Sequence, residues 1–246
     1  MSTAGQRGTE AVEREIPDAL AEPRVAVRAR WVTLLFLANL GLWLAVYAPI
    51  QVLLPEQAQA LAAANKTLVL SVVMGVGALV ALVANPVIGM LSDRTTSRFG
   101  RRHPWTVAGA VVGAGGLAVL AEAPNIAVMV LGWCIAQAGL NGMLAALTSA
   151  LPDRVPVNQR AQVGGFVGIS QMLGTVLGTL IVTVLIVQLA GGYVACGVIV
   201  VLGALAFTLF SPDARLPVRF RPAGSISSGL ARLWISPRAF PDFAWG

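Results

Sequence analysis

The chain has 246 residues, 57% hydrophobic and 11% charged, with a formal net charge of +6. A soluble domain carries about 25% charged residues, and here the charges are also clustered: Trp31–Leu91 holds only Glu56 and Lys66, and Ala161–Pro212 holds none. Apolar stretches of more than about 18 residues read as membrane spans. A soluble enzyme, a secreted disulfide scaffold and a nucleic-acid-binding domain are therefore excluded, and the expected class is an all-α integral membrane protein.

In chain order, residues 1–30 form a polar N-terminal tail. Spans are then expected over about 31–54, 67–92, 104–121, 125–151, 162–190 and 193–210, cut where prolines and charges fall together. The uncharged stretch from Ala161 to Pro212 is too long for one span of about 20 residues, and Gly191-Gly192 is its natural break. Only helices and closed barrels satisfy the backbone in lipid, and these lengths are helical. The expected fold is a six-transmembrane-helix bundle.

Charge bias orients the bundle. The N-terminal tail, the second-to-third loop, the fourth-to-fifth loop and the C-terminal tail together hold 16 of the 17 basic residues, and Lys66 alone lies in the alternate loops. The positive-inside rule then places both termini in the cytoplasm. The basic balance is topological and implies no nucleic-acid partner. Cys134 and Cys196 fall inside helices without metal-ligand spacing and read as packing residues. No metal and no cofactor are expected. His103, the sole histidine, has no serine partner placed for catalysis, and no aspartate pair lies inside a helix, so an enzyme is not expected.

The most informative segment runs from Asn85 to Trp105, NPVIGMLSDRTTSRFGRRHPW. Gly89 allows close helix approach. Asp93, at the membrane edge, can accept charge-assisted hydrogen bonds, and Gly100 permits a tight turn before a basic pair. Gly89, Leu91, Asp93, Arg94, Gly100, Arg101 and Arg102 match the G-x-L-a-D-R…G-R-R/K motif, and the chain here resembles the major facilitator superfamily. The extended S-D-R-T-x-S-R-x-G-R-R-x-P form, with Leu151-Pro-Asp153-Arg-Val-Pro156, is similar to its branch of glycoside–pentoside–hexuronide cation symporters and sucrose–proton symporters. That branch usually has Arg-Gly where this chain has Arg160-Ala161.

The resemblance implies a twelve-helix transporter of which this is the N-terminal half. It also implies that Gly89, Asp93, Arg94, Arg98, Gly100, Arg101 and Arg102 form a conformational latch, with Asp93 reaching arginines and a helix end of the other half. Residues 211–246 then read as the cytoplasmic linker to that half, with a Gly/Ser stretch at Gly224–Gly229, an amphipathic run at Leu230–Ile235 and the approach to a seventh span at Pro241–Gly246.

Polar residues inside membrane helices face protein or water. Asn39, Trp43, Tyr47 and Gln51 recur every four residues in the first span and form one polar-aromatic stripe. Gln137 and Asn141 share a face of the fourth span with Thr148, and Trp133 flanks them. In the fifth span Gln171, Thr175 and Thr179 share a side with glycines; for these threonines, bonding back to their own helix competes with ligand contact. Asn39, Trp43, Tyr47, Gln51, Gln137 and Asn141 are the candidate substrate-binding residues, suited to a neutral polyhydroxy ligand.

The cation-symporter members carry acidic residues in the second helix, where this chain has Ala81 and Asn85. Sodium coupling through that helix is not expected, and proton coupling would need a group in the second half. The expected function is secondary-active or facilitative transport of a small polar solute, a sugar or glycoside. Efflux of drugs or amphipathic compounds is the alternative within the same superfamily, and a truncated half that does not transport, or an interaction partner, is the other. The expected partners are the small-molecule substrate, a proton if transport is coupled, the lipid bilayer of the cell membrane and a second six-helix half.

Overall fold

The computed structural model describes residues 17–222; the readings made on the first sixteen residues and on 223–246 lie outside the described part. Six helices carry this region: α1 (Ala29–Leu61), α2 (Lys66–Asp93), α3 (His103–Ala121), α4 (Ile126–Arg154), α5 (Val157–Leu185) and α6 (Leu189–Phe210). Each is long and apolar enough to cross a membrane, and no strand forms among the described residues. The chain is an all-helical membrane protein.

Two boundaries differ from those expected, for backbone reasons. Helix α1 runs beyond Leu54 because a π turn at Pro49–Leu53 accommodates its prolines. Pro55 has no N–H to offer the carbonyl one turn back, and the widened turn instead lets the Leu54 N–H reach the Pro49 carbonyl. Helices α5 and α6 part at residues 186–188 and not at Gly191-Gly192. A second π turn, Ile181–Leu185, ends α5, and the Ile186 N–H donates to the Ile181 carbonyl at 2.8 Å. The two glycines fall in the first turn of α6, where a Cβ on Gly192 would lie 2.8 Å from Leu53 Cδ2. Their role is to admit a neighbour. At the start of α4 the local signal is ordinary: the Asn125 side chain accepts from the Val128 N–H at 3.0 Å.

The helices pack by exchange between two triplets. Helix α1 lies against α5 and α6, α4 lies against α2 and α3, and α3 meets α6. This is a two-fold internal repeat written in contacts, one that the sequence does not display. Helices α2 and α5 stand at the margins: 22% of the most apolar window of each is buried, against 50% for α1 and α4. Their outward faces carry Leu68, Leu79 and Leu82 on α2 and Met172, Val176 and Val184 on α5.

At the end of the bundle opposite the arginines, a buried polar network ties three helices. Gln57 Nε2 donates to the Leu120 carbonyl at 2.7 Å, and the Tyr193 hydroxyl donates to Gln57 Oε1 at 2.9 Å. Both side chains are buried. Tyr193→Phe removes one donor and leaves Gln57 Oε1 unmatched, with an expected loss of about 1 kcal/mol. Denaturant titration in mild detergent should show an earlier midpoint, and an unchanged midpoint would mean that packing alone holds this corner.

Candidate functional site

The second-to-third loop is shaped around Gly100, whose φ of +100° is the only positive value among the described residues. A side chain there would be strained, and a Cβ would run into the Asp213 carboxylate. The loop delivers Arg101 and Arg102 to the start of α3, where both guanidiniums are buried.

All three nitrogens of Arg102 are used. Nε donates to Asp153 Oδ2 at 2.7 Å, Nη2 pairs with Asp93 Oδ1 at 2.7 Å, and Nη1 donates to Ser92 Oγ at 2.9 Å. The other Asp153 oxygen takes Arg101 Nη2 at 2.7 Å. Asp153, at the end of α4, therefore bridges two arginines from the loop, and Asp93 supplies the second negative charge. Burial works against the Arg102 charge, but the bond to Asp153 and the nearness of Asp153 and Asp93 outweigh it, so its pKa lies above the ordinary arginine value.

Helix α3 has no capping side chain of its own. Its first N–H groups are capped from far along the chain: Asp213 Oδ2 accepts from the Arg102 N–H at 2.6 Å and from the His103 N–H at 2.9 Å. A carboxylate at a helix N-terminus gains from both the hydrogen bonds and the dipole. The His103 ring lies edge-on to Phe207 at 5.5 Å, with Nε2 3.3 Å from Ser211 Oγ. Trp105 Nε1 donates to Thr95 Oγ1 at 2.7 Å and fixes the other side of the loop. Among the expected latch residues, Asp93, Arg101 and Arg102 thus meet. Arg98 instead lies over the Phe99 ring at 4.7 Å, and nothing stands within 4 Å of where a Gly89 Cβ would be.

The α1 stripe meets α5. Trp43 stacks on Tyr47 with centroids 5.7 Å apart, the Tyr47 hydroxyl accepts from Gln171 Nε2 at 3.2 Å, and Gln51 Oε1 accepts from Thr179 Oγ1 at 2.8 Å. Thr175 and Thr179 also bond back to the Gln171 and Thr175 carbonyls, the rival reading for these residues. Asn39 is fully buried; its Nδ2 donates to the Leu35 carbonyl at 2.9 Å, and its Oδ1 has no partner. On α4, Asn141 Nδ2 donates to Gln137 Oε1 at 3.2 Å.

The two seams repeat one feature. Gly174 of α5 leaves room for the α1 backbone at Leu40 and Leu44, beside the Trp43 Cβ, and Gly77 of α2 leaves room for the Trp133 indole of α4. Both indole N–H groups are buried without a hydrogen-bond partner. Each helix of the α1–α4 pair thus presents one tryptophan beside a glycine of its neighbour and followed, a turn or two on, by amide or phenol groups.

Sequence reasoning did not assign Asp153 or Asp213 to this loop's ion-pair and capping network. Asp153 sat in a recognisable loop motif but gave no sign of its partners, and nothing in the local sequence marks Asp213. Among the described residues no group of His, Cys, Asp and Glu could hold a metal ion.

Comparison with known proteins matches the profile of the Major Facilitator Superfamily to residues 32–245. The chain is also 26% identical over 130 residues, 45% of its own length, to the "General alpha-glucoside permease" of the fission yeast Schizosaccharomyces pombe. The match spans about a quarter (24%) of that relative. With nearly every described helix inside the matched region, the chain belongs to the Major Facilitator Superfamily of membrane transporters.

Proposed function

We propose that the chain works as the N-terminal half of a transporter that moves a small polar solute, a sugar or glycoside, across the cell membrane by alternating access. Both termini face the cytoplasm in this reading, following the arginine bias. The observation that carries it is the pair of polar-aromatic seams: the Trp43–Tyr47 stack with Gln51, and Trp133 with Gln137 and Asn141. Aromatic faces beside amide donors and acceptors suit a neutral polyhydroxy ligand, and a relative named as an α-glucoside permease supports the same class.

The solute site is Asn39, Trp43, Tyr47, Gln51, Gln137 and Asn141. The loop of Gly89, Asp93, Arg94, Arg98, Gly100, Arg101 and Arg102 is the latch that biases which side is open. A second six-helix half, in the same polypeptide or another chain, completes the path. The carboxylates Glu56, Asp93, Glu122 and Asp153 lie near helix ends or in loops, so a coupled proton would use a group of that second half.

Uptake of labelled maltose and sucrose into vesicles carrying this chain together with its second six-helix half tests the reading. Trp43→Ala is expected to lower uptake about tenfold through the lost stacking surface, with Gln51→Ala lowering it less and protein levels unchanged. Uptake that survives both substitutions would remove these residues from the solute path, and no uptake of either sugar by the unaltered protein would remove the substrate class.

A further inference from the structure

At the arginine-rich end, residues 18–28 and the ends of α1, α4 and α6 line a half-open cavity of about 550 Å³. Its floor is aromatic: Trp31 is buried and lies edge-on to Phe207 at 6.0 Å, and Phe210 lies 5.8 Å below the Arg30 guanidinium. Its rim is basic, with Arg24, Arg28, Arg30 and Arg154 among the lining residues.

Three carboxylates also line the cavity, Asp18, Glu22 and Asp153. Asp153 is already committed to Arg101 and Arg102, so among the described lining residues Arg28, Arg30 and Arg154 outnumber the remaining carboxylates, Asp18 and Glu22. Five buried polar side-chain atoms lack a hydrogen-bond partner among the described residues, and two of them, Trp31 Nε1 and Arg154 Nε, belong to residues of this lining. Both are donors. A buried donor without an acceptor is costly, more so when charged, and the missing complement is a ligand rich in acceptors and negative in charge.

We propose that this cavity binds a phosphate-bearing anion, and that its source is the headgroup of an anionic phospholipid. A free phosphate uses only the rim. A lipid uses the rim for its phosphate and the aromatic floor for its glycerol and first methylenes, at the depth where tryptophan favours the interface. Basic pockets between helix ends of membrane proteins take anionic headgroups on these grounds. The site is separate from the solute path and does not depend on the transport reading.

Native mass spectrometry of the full chain in detergent, with phosphatidylglycerol or phosphatidylcholine added, reads this directly. Phosphatidylglycerol should be retained in preference, and Arg28→Gln or Arg30→Gln should each weaken retention about fivefold. Both residues are exposed, so folding is not at stake. Arg219→Gln, exposed at the same end but outside the lining, should change nothing. Equal retention of the two lipids, or equal losses from Arg219→Gln and Arg28→Gln, overturns the site. An excess of inorganic phosphate separates the sources: retention that persists supports the lipid, and complete displacement overturns the lipid assignment in favour of a soluble phosphate compound.

Discussion

Asp153→Ala is expected to destabilise the bundle by about 3–5 kcal/mol, the range for stripping one partner from a buried ion pair. The carboxylate serves Arg101 through one oxygen and Arg102 through the other, each at 2.7 Å. The side chains of Arg101 and Arg102 are 8% and 4% exposed. Neither can recover its lost solvation without dragging the second-to-third loop off the ends of α2 and α4. Asp93→Asn is the informative contrast. Its carboxylate also pairs with Arg102, but its side chain is 53% exposed, so water replaces most of what is lost and about 1 kcal/mol or less is expected. Thermal inactivation in detergent, followed by size-exclusion chromatography, should rank the variants with Asp153→Ala far below Asp93→Asn. Equal losses would mean that Arg102 depends on its Asp93 prong as much as on Asp153.

This asymmetry separates the two acids that meet Arg102. Asp153 holds the loop to this six-helix bundle. Asp93, half in water and paired to the same guanidinium, is the prong that a second half could compete for. In the proposed transport cycle the exchange would therefore happen at Asp93, with Arg102 remaining anchored through Asp153 and Ser92.

The sequence displayed what is local or periodic. Charge gaps delimited six spans, and the Gly100-Arg101-Arg102 run marked the loop that the structure folds against Asp93. Pairings over long separations left no trace. Asp213 caps α3 from 111 positions beyond Arg102, and no local pattern distinguishes such a carboxylate from a solvated one in a linker. The α5–α6 boundary differs because glycine pairs read as breaks, whereas here Gly192 admits Leu53 and the break follows a π turn in an uncharged run. The α1 stripe was legible by its four-residue period. That Tyr47 and Gln51 would find Gln171 and Thr179 was not, because it depends on α5 lying beside α1. The internal repeat escaped for the same reason: Trp43 beside Gly174 and Trp133 beside Gly77 stand at corresponding seams but share almost no flanking sequence.

The largest packing effect is expected at the seam between α3 and α4, where the backbones touch. A Cβ on Gly139 would overlap the Gly113 amide nitrogen and stand 2.7 Å from the Gly109 carbonyl oxygen and from Gly113 Cα. A Cβ on Gly116 would meet the Ala136 backbone in the same way. No flexible side chain can yield at these contacts; two helices must separate along their length. Lipid offers little hydrophobic drive to hold helices together, so close packing of small residues supplies much of the association, and forcing it open removes contacts on both helices at once. Gly139→Val should therefore cost about 3 kcal/mol or more, seen as a collapse of monodisperse yield. Gly164→Ala on α5 is the control. Nothing lies within 4 Å of its Cβ position, and alanine in a helix interior gains about 0.5–1 kcal/mol over glycine. If Gly139→Val were tolerated as well as Gly164→Ala, the α3–α4 seam could not be as close as the structure places it, and the exchange of helices between the two triplets would lose its tightest joint.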